Sequence, residues 1–154
     1  MAINKVAVIG SGVMGSGIAA HVANAGVPVV LLDIVAPGSK NRNAVAEQAI
    51  ERMLKTDPAP LMHRDNARLI TPGNLEDHLG LLADCDWIVE AVLEKLEVKH
   101  ATYAKIEKAR KEGSIVSSNT STIPLKDLVG GLPERFQRDF FNRKSHAQIY
   151  RRKP

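Results

Sequence analysis

Residues 5–33 read as a strand, a glycine turn, a helix, a second strand and a terminal acid. Lys5-Val6-Ala7-Val8-Ile9 is a short apolar, β-branched run, and Gly10-Ser11-Gly12-Val13-Met14-Gly15 follows at once, matching G-x-G-x-x-G. The pattern predicts a helix over 13–24 stopped by Gly26, then a strand over 27–32 closed by Asp33. Glycines at these spacings let the backbone turn sharply, approach a pyrophosphate closely and pack a helix against a strand. The helix N-terminus adds free N–H groups and partial positive charge for phosphates. Asp33 lies 23 residues after Gly10, near the spacing at which an acid meets the ribose of a bound dinucleotide. The bland alternative is a glycine-rich turn that binds nothing, with Asp33 a turn residue at a strand end.

Gly10, Gly12, Val13, Met14, Gly15 and Asp33 are therefore the first candidate cofactor-binding residues. A carboxylate at position 33 accepts hydrogen bonds from a ribose 2′-OH and repels a 2′-phosphate. Ile34 follows it, and the next arginine is Arg42. NAD is expected rather than NADP.

The chain has 154 residues, enough for one domain with a real core. Cys85 is the only cysteine and precedes the apolar run Trp87-Ile88-Val89. A buried free thiol and a reducing compartment such as the cytoplasm are expected. Only four residues precede the first strand, so no signal peptide is expected, and no apolar run reaches the length of a membrane span. The net charge of +4 is unevenly placed. Residues 1–134 hold 14 Lys/Arg and 16 Asp/Glu, whereas residues 135–154 hold seven Lys/Arg and one acid, Asp139. That asymmetry reads as a solvated, disordered basic end rather than a nucleic-acid patch.

Beyond Asp33, residues 36–39 read as a loop. A helix is expected over 44–54, with Ala46, Ala49, Ile50, Met53 and Leu54 on one face. A strand over 68–71 should end at Pro72-Gly73, followed by a helix over 75–83. Residues 87–92 are apolar nearly throughout, as suits a parallel strand covered on both faces. A long helix over 94–111, a strand over 114–117, a polar loop over 118–121 and a short helix over 124–129 complete the pattern. Strands alternating with helices predict an α/β, doubly wound parallel sheet in a single domain. Its ligand should lie outside the carboxyl ends of the strands.

Two further segments carry a family resemblance. Ile88-Val89-Glu90-Ala91-Val92-Leu93-Glu94 with Lys99, and Ser118-Asn119-Thr120-Ser121-Thr122-Ile123-Pro124, resemble in order the "VEA-x-x-E…K" and "SNTST-x-P" segments of the 3-hydroxyacyl-CoA dehydrogenases. With the glycine turn, the resemblance spans residues 3 to about 136. It implies a Rossmann-type NAD-binding domain over residues 1–136, with a divergent basic tail over 137–154. It also implies an acyl-CoA substrate, hydride transfer between the substrate C3 and NAD in fatty-acid β-oxidation, and a homodimer in the parent enzyme. By the same resemblance Met14 and Asp33 contact NAD, and the Leu93–Glu94 turn with Lys99 faces the nicotinamide ribose and its phosphates. Ser121 becomes the candidate catalytic residue beside nicotinamide and substrate. Each residue also has a plain reading: Glu90, Glu94 and Lys99 as solvent-facing charges, Ser121 as a helix cap before Pro124.

The family continues from this loop to "HFFNP", whose His is the general base. Residues 133–143 read Pro-Glu-Arg-Phe-Gln-Arg-Asp-Phe-Phe-Asn-Arg. Either Asp139 stands in the place of that His, or the family pattern runs through Asp139-Phe140 and then ends. His146 is the nearest imidazole but has no matching surroundings. A fragment or an altered reading frame is expected, one that binds dinucleotide and is inactive alone. The alternatives are another hydroxy-acid or sugar-acid dehydrogenase of the same superfamily, or a non-catalytic nucleotide-binding module.

Overall fold

The computed structural model describes residues 2–142. Six strands form one sheet: β1 (Val6–Ile9), β2 (Val29–Asp33), β3 (Ile70–Asn74), β4 (Trp87–Glu90), β5 (Ile115–Ser118) and β6 (Phe140–Asn142). Their order is β3-β2-β1-β4-β5-β6, and every pairing is parallel. This is the doubly wound order that reverses direction between β1 and β4, and ligands bind at that switch point.

The helices are α1 (Val13–Asn24), α2 (Ala44–Lys55), α3 (Leu96–Ala109), α4 (Leu125–Val129) and α5 (Glu134–Arg138). Side chains alternate across each strand, so the core divides into two layers. Val6, Val8, Leu31 and Val89 face Ala19, Ala23, Ala46, Ala49 and Met53 of α1 and α2. Ala7, Ile9, Leu32, Ile88 and Val116 face Tyr103 and Ile106 of α3, with Leu128, Phe136 and Phe140. In α2, Ala46, Ala49 and Met53 are buried and Ile50 and Leu54 pack at the margin, as their spacing required. Cys85 is fully buried, and burial pushes its thiol up to about 11. Among the described residues, no helix is long and apolar enough to cross a membrane.

The structure departs from the sequence expectations in three places. Pro72 and Gly73 lie inside β3 rather than ending the strand. The strand is an edge with one neighbour, so the missing proline N–H costs it no ladder bond. The helix expected over 75–83 is a turn followed by one 3₁₀ segment, Leu79–Asp84. The buried Asn74 accounts for it: its Oδ1 accepts the N–H groups of Glu76 (2.9 Å) and Asp77 (2.8 Å), offering the backbone a local alternative to a helix.

The third departure is at the expected domain boundary. Residue 136 falls inside α5, and the sheet runs on to Asn142. Phe136 and Phe140 are buried against Tyr103, with ring centroids 5.5 and 5.3 Å from it. Arg110 carries its guanidinium over the Phe136 ring at 5.4 Å. The rest of the expected basic tail, with His146, lies outside the described residues.

Candidate cofactor site at the carboxyl ends of the strands

The three glycines of the turn do three different jobs. Gly10 takes a positive φ of 99°, and a Cβ there would meet Ala91 O at 2.6 Å. A Cβ on Gly15 would lie 1.8 Å from Gly10 O, so α1 can pack this close only without a side chain. A Cβ on Gly12 would meet nothing within 4 Å among the described residues. Its emptiness faces a cleft, and it is the glycine past which a pyrophosphate can approach.

Gly12 also begins α1 with no side-chain cap and no acid in the first turn, among the described residues. The orphan N–H groups of a 12-residue helix are thereby left for an anion. Gly12→Ala is expected to hold or raise stability by up to about 1 kcal/mol, because φ of −64° suits alanine. It is expected to weaken NADH binding by at least about tenfold, or 1.4 kcal/mol. Urea denaturation and an NADH titration on one preparation check both halves.

Gly10, Gly12, Asp33, Ala91 and Leu93 line one cleft. Asp33 closes β2 and is already oriented: its Oδ2 accepts Ser11 N (2.5 Å) and Ser11 Oγ (2.6 Å), and its Oδ1 accepts Ile34 N (2.7 Å). Ser11 is buried and had not stood out in the sequence, being an "x" of the motif. Val13 and Met14 are exposed at the start of α1 and turn instead toward a groove shared with Ile18, His21 and Trp87. The structure thus places Met14 beside the cleft rather than in its lining.

The second half of the site is a buried polar cluster. Glu90, the last residue of β4, is fully buried, and Lys99 on α3 is 1% exposed. Lys99 Nζ donates to Glu90 Oε1 at 2.7 Å and lies 3.2 Å from Glu94 Oε2. The solvent-facing reading of Glu90 and Lys99 is therefore overturned: charge pairing holds both inside. Lys99 does not line the cleft, and its ammonium reaches the cofactor side through Glu94.

Glu94 also receives the hydroxyls of Thr120 and Thr122, the latter at 2.7 Å. Burial opposes its ionisation, but these hydroxyls and Lys99 outweigh burial and hold the carboxyl down at about 2. Tyr103 donates to Glu90, and burial followed by that carboxylate pushes its phenol far above the ordinary range. Leu93 is exposed at the lip of the cleft. Ser121 is exposed between the two threonines that Glu94 holds. It does not cap α4, whose first turn follows Pro124 without a side-chain cap. Sequence reading quoted Ser118, Thr120 and Thr122 only as part of the loop that carries the resemblance, without a role for each, and did not single out Tyr103. The signal for Tyr103 was its place four residues after Lys99, on the same helix face.

Asp139 lies at the other end of the sheet. Its backbone O accepts Val116 N at 3.0 Å, and its carboxylate lies 3.0 Å from Arg110 Nη1. This is the amino end of β5 and β6, across the sheet from the cleft. The Asp139 carboxylate is thus engaged away from the cleft, and Phe140 pairs with Val116.

A family model for the 3-hydroxyacyl-CoA dehydrogenase NAD-binding domain matches residues 5–142. The chain is 54% identical over 140 residues to a probable 3-hydroxyacyl-CoA dehydrogenase of Deinococcus radiodurans, covering 91% of this chain and 40% of that protein. It is 47% identical over 152 residues to a probable 3-hydroxyacyl-CoA dehydrogenase of Bacillus subtilis, covering 90% and 19%. The chain thus spans well under half the length of these relatives. Among solved structures, Mycobacterium tuberculosis FadB2 superposes with a TM-score of 0.73 at 27% identity, over 92% of this chain and 49% of that one. The 3-hydroxybutyryl-CoA dehydrogenase of Escherichia coli gives 0.73 at 25% identity, over 92% and 29%. An open second glycine, an uncapped helix and a presented Asp33 fit NAD, and the chain belongs to the NAD-binding domain family of the 3-hydroxyacyl-CoA dehydrogenases.

Proposed function

We propose that this chain supplies the cofactor half of an (S)-3-hydroxyacyl-CoA dehydrogenase. One observation carries the reading: Glu94 ties the Leu93–Glu94 turn to the loop bearing Ser121, at the same sheet edge as the glycine turn. In this reading Asp33 and Gly12 hold the adenosine and pyrophosphate, while Leu93, Glu94 and Ser121 meet the nicotinamide end. Lys99 acts there through its pairing with Glu94. When bound, the nicotinamide supplies the hydride acceptor. The Ser121 hydroxyl can donate to the carbonyl oxygen that forms, or accept from the alcohol.

An acyl-CoA thioester is the substrate of this reading, the buried single thiol suits a reducing cytoplasm, and pairing with a second copy belongs to the same proposal. Without the family's His in register, the chain by itself is expected to lose at least the roughly 10²–10⁴-fold that general-base catalysis contributes. Titrating the chain with NADH and following fluorescence tests the core of the proposal. Saturable binding is expected, with NADPH at least about tenfold weaker because its 2′-phosphate meets Asp33. No saturable signal, or equal affinity for both, would overturn it.

A further inference from the structure

Glu90 is fully buried with four hydrogen bonds on its carboxylate, and the cofactor reading above gives it no task. Its Oε1 accepts Val92 N at 2.8 Å and Lys99 Nζ at 2.7 Å; its Oε2 accepts Ser118 Oγ at 2.6 Å and Tyr103 OH at 2.6 Å. A carboxylate only accepts, and four donors fill its capacity. A charge this buried is costly unless every site is met, so the arrangement constrains each of the four donors.

Two of those donors begin the loops of the nicotinamide side. Val92 leads into the Leu93–Glu94 turn. Ser118 leads into the Ser121 loop, and its hydroxyl also accepts Thr120 N at 3.2 Å. Asn119 N donates to the Glu90 backbone O at 2.8 Å. The two loops are therefore tied at their base by Glu90 and at their tip by Glu94, with Lys99 bridging the two acids. Tyr103 differs: it shares Oε2 with Ser118 but leads only to α3.

We propose that Glu90 is a positioning residue that acts through Ser118 and Val92 to set the nicotinamide-side edge of the site, the Leu93–Glu94 turn against the Ser121 loop. This rests on the proposed function. Asp33 and the glycine turn make no side-chain bond to Glu90, so its carboxylate acts on the nicotinamide side first. Cutting the Ser118 bond should weaken the whole dinucleotide and spare ADP-ribose. Cutting the Tyr103 bond to the same oxygen should spare both.

The test compares Ser118→Ala with Tyr103→Phe in the full chain, by thermal unfolding and by titration with NADH and with ADP-ribose. Each variant removes one donor from Oε2, and both are expected to unfold at lower temperature than the parent. Ser118→Ala is expected to bind NADH about tenfold more weakly, the worth of one well-placed charged hydrogen bond, with ADP-ribose changed by less than about twofold. Tyr103→Phe is expected to change neither ligand by more than about twofold. Equal NADH affinities for the two variants, or equal losses for the two ligands in Ser118→Ala, would overturn the positioning role and leave the proposed function standing. A parent chain that binds neither ligand would overturn both.

Discussion

Gly15→Ala is expected to cost about 3 kcal/mol or more, at the top of the range for overpacked cores, and to abolish NADH binding. The clash is with backbone, a Cβ 1.8 Å from Gly10 O. Relief requires that α1 slide outward or that Gly10 O retreat. Gly10 has nowhere to go, because its own α-carbon already faces Ala91 O, and its N–H donates to Leu32 O at 2.7 Å. The helix also cannot slide freely: Ala19, Ala20 and Ala23 are fully buried against the sheet. Any shift therefore moves the uncapped helix start, the proposed anion site. Since domains of this size have about 5–15 kcal/mol in total, the loss should show as a large drop in the urea midpoint. A Gly15→Ala chain within about 1 kcal/mol of the parent would show that the turn is far looser than this packing implies.

The same turn shows what was legible in the sequence. The motif gave the strand, the helix limits, the binding edge and Asp33, because each follows from local rules about glycine, period and strand ends. The observed α1 begins and ends where the pattern placed it. The errors fall where long-range contacts decide. Pro72 reads as a strand end only if β3 has two neighbours, and edge position cannot be read locally. The plain reading of Glu90 as a surface charge stays open in the sequence because its partners are 9, 13 and 28 residues away. The plain reading of Lys99 as a solvated helix residue stays open for the same reason. Met14 is expected by resemblance to contact NAD; it stands exposed at the start of α1, beside the cleft. The place of Asp139 at the amino end of β6, paired with Arg110, depends on contacts 29 residues apart.

That buried pair also sets the second large effect. Glu90→Ala is expected to destabilise the chain by about 3–5 kcal/mol, the usual cost of removing one member of a buried ion pair. The change strands Lys99, whose ammonium is 1% exposed and keeps only Glu94 at 3.2 Å. It also leaves the hydroxyls of Tyr103 and Ser118 and the Val92 N–H without their acceptor, each an unmet buried donor. The larger share belongs to the orphaned charge, because a lone buried ammonium costs more than a lone hydroxyl. A second change separates the two contributions. Glu90→Gln with Lys99→Met removes both charges, while the Gln oxygen keeps acceptor capacity for part of the donor set. Neutral replacement of a buried pair is often near neutral in stability, so the double variant should recover at least half of the loss seen in Glu90→Ala. Urea unfolding of parent, Glu90→Ala and the double variant measures this directly. A Glu90→Ala cost below about 1 kcal/mol would place the pair in solvent-like surroundings. A double variant as unstable as Glu90→Ala would shift the weight from charge to the hydrogen bonds that close the ends of β4 and β5.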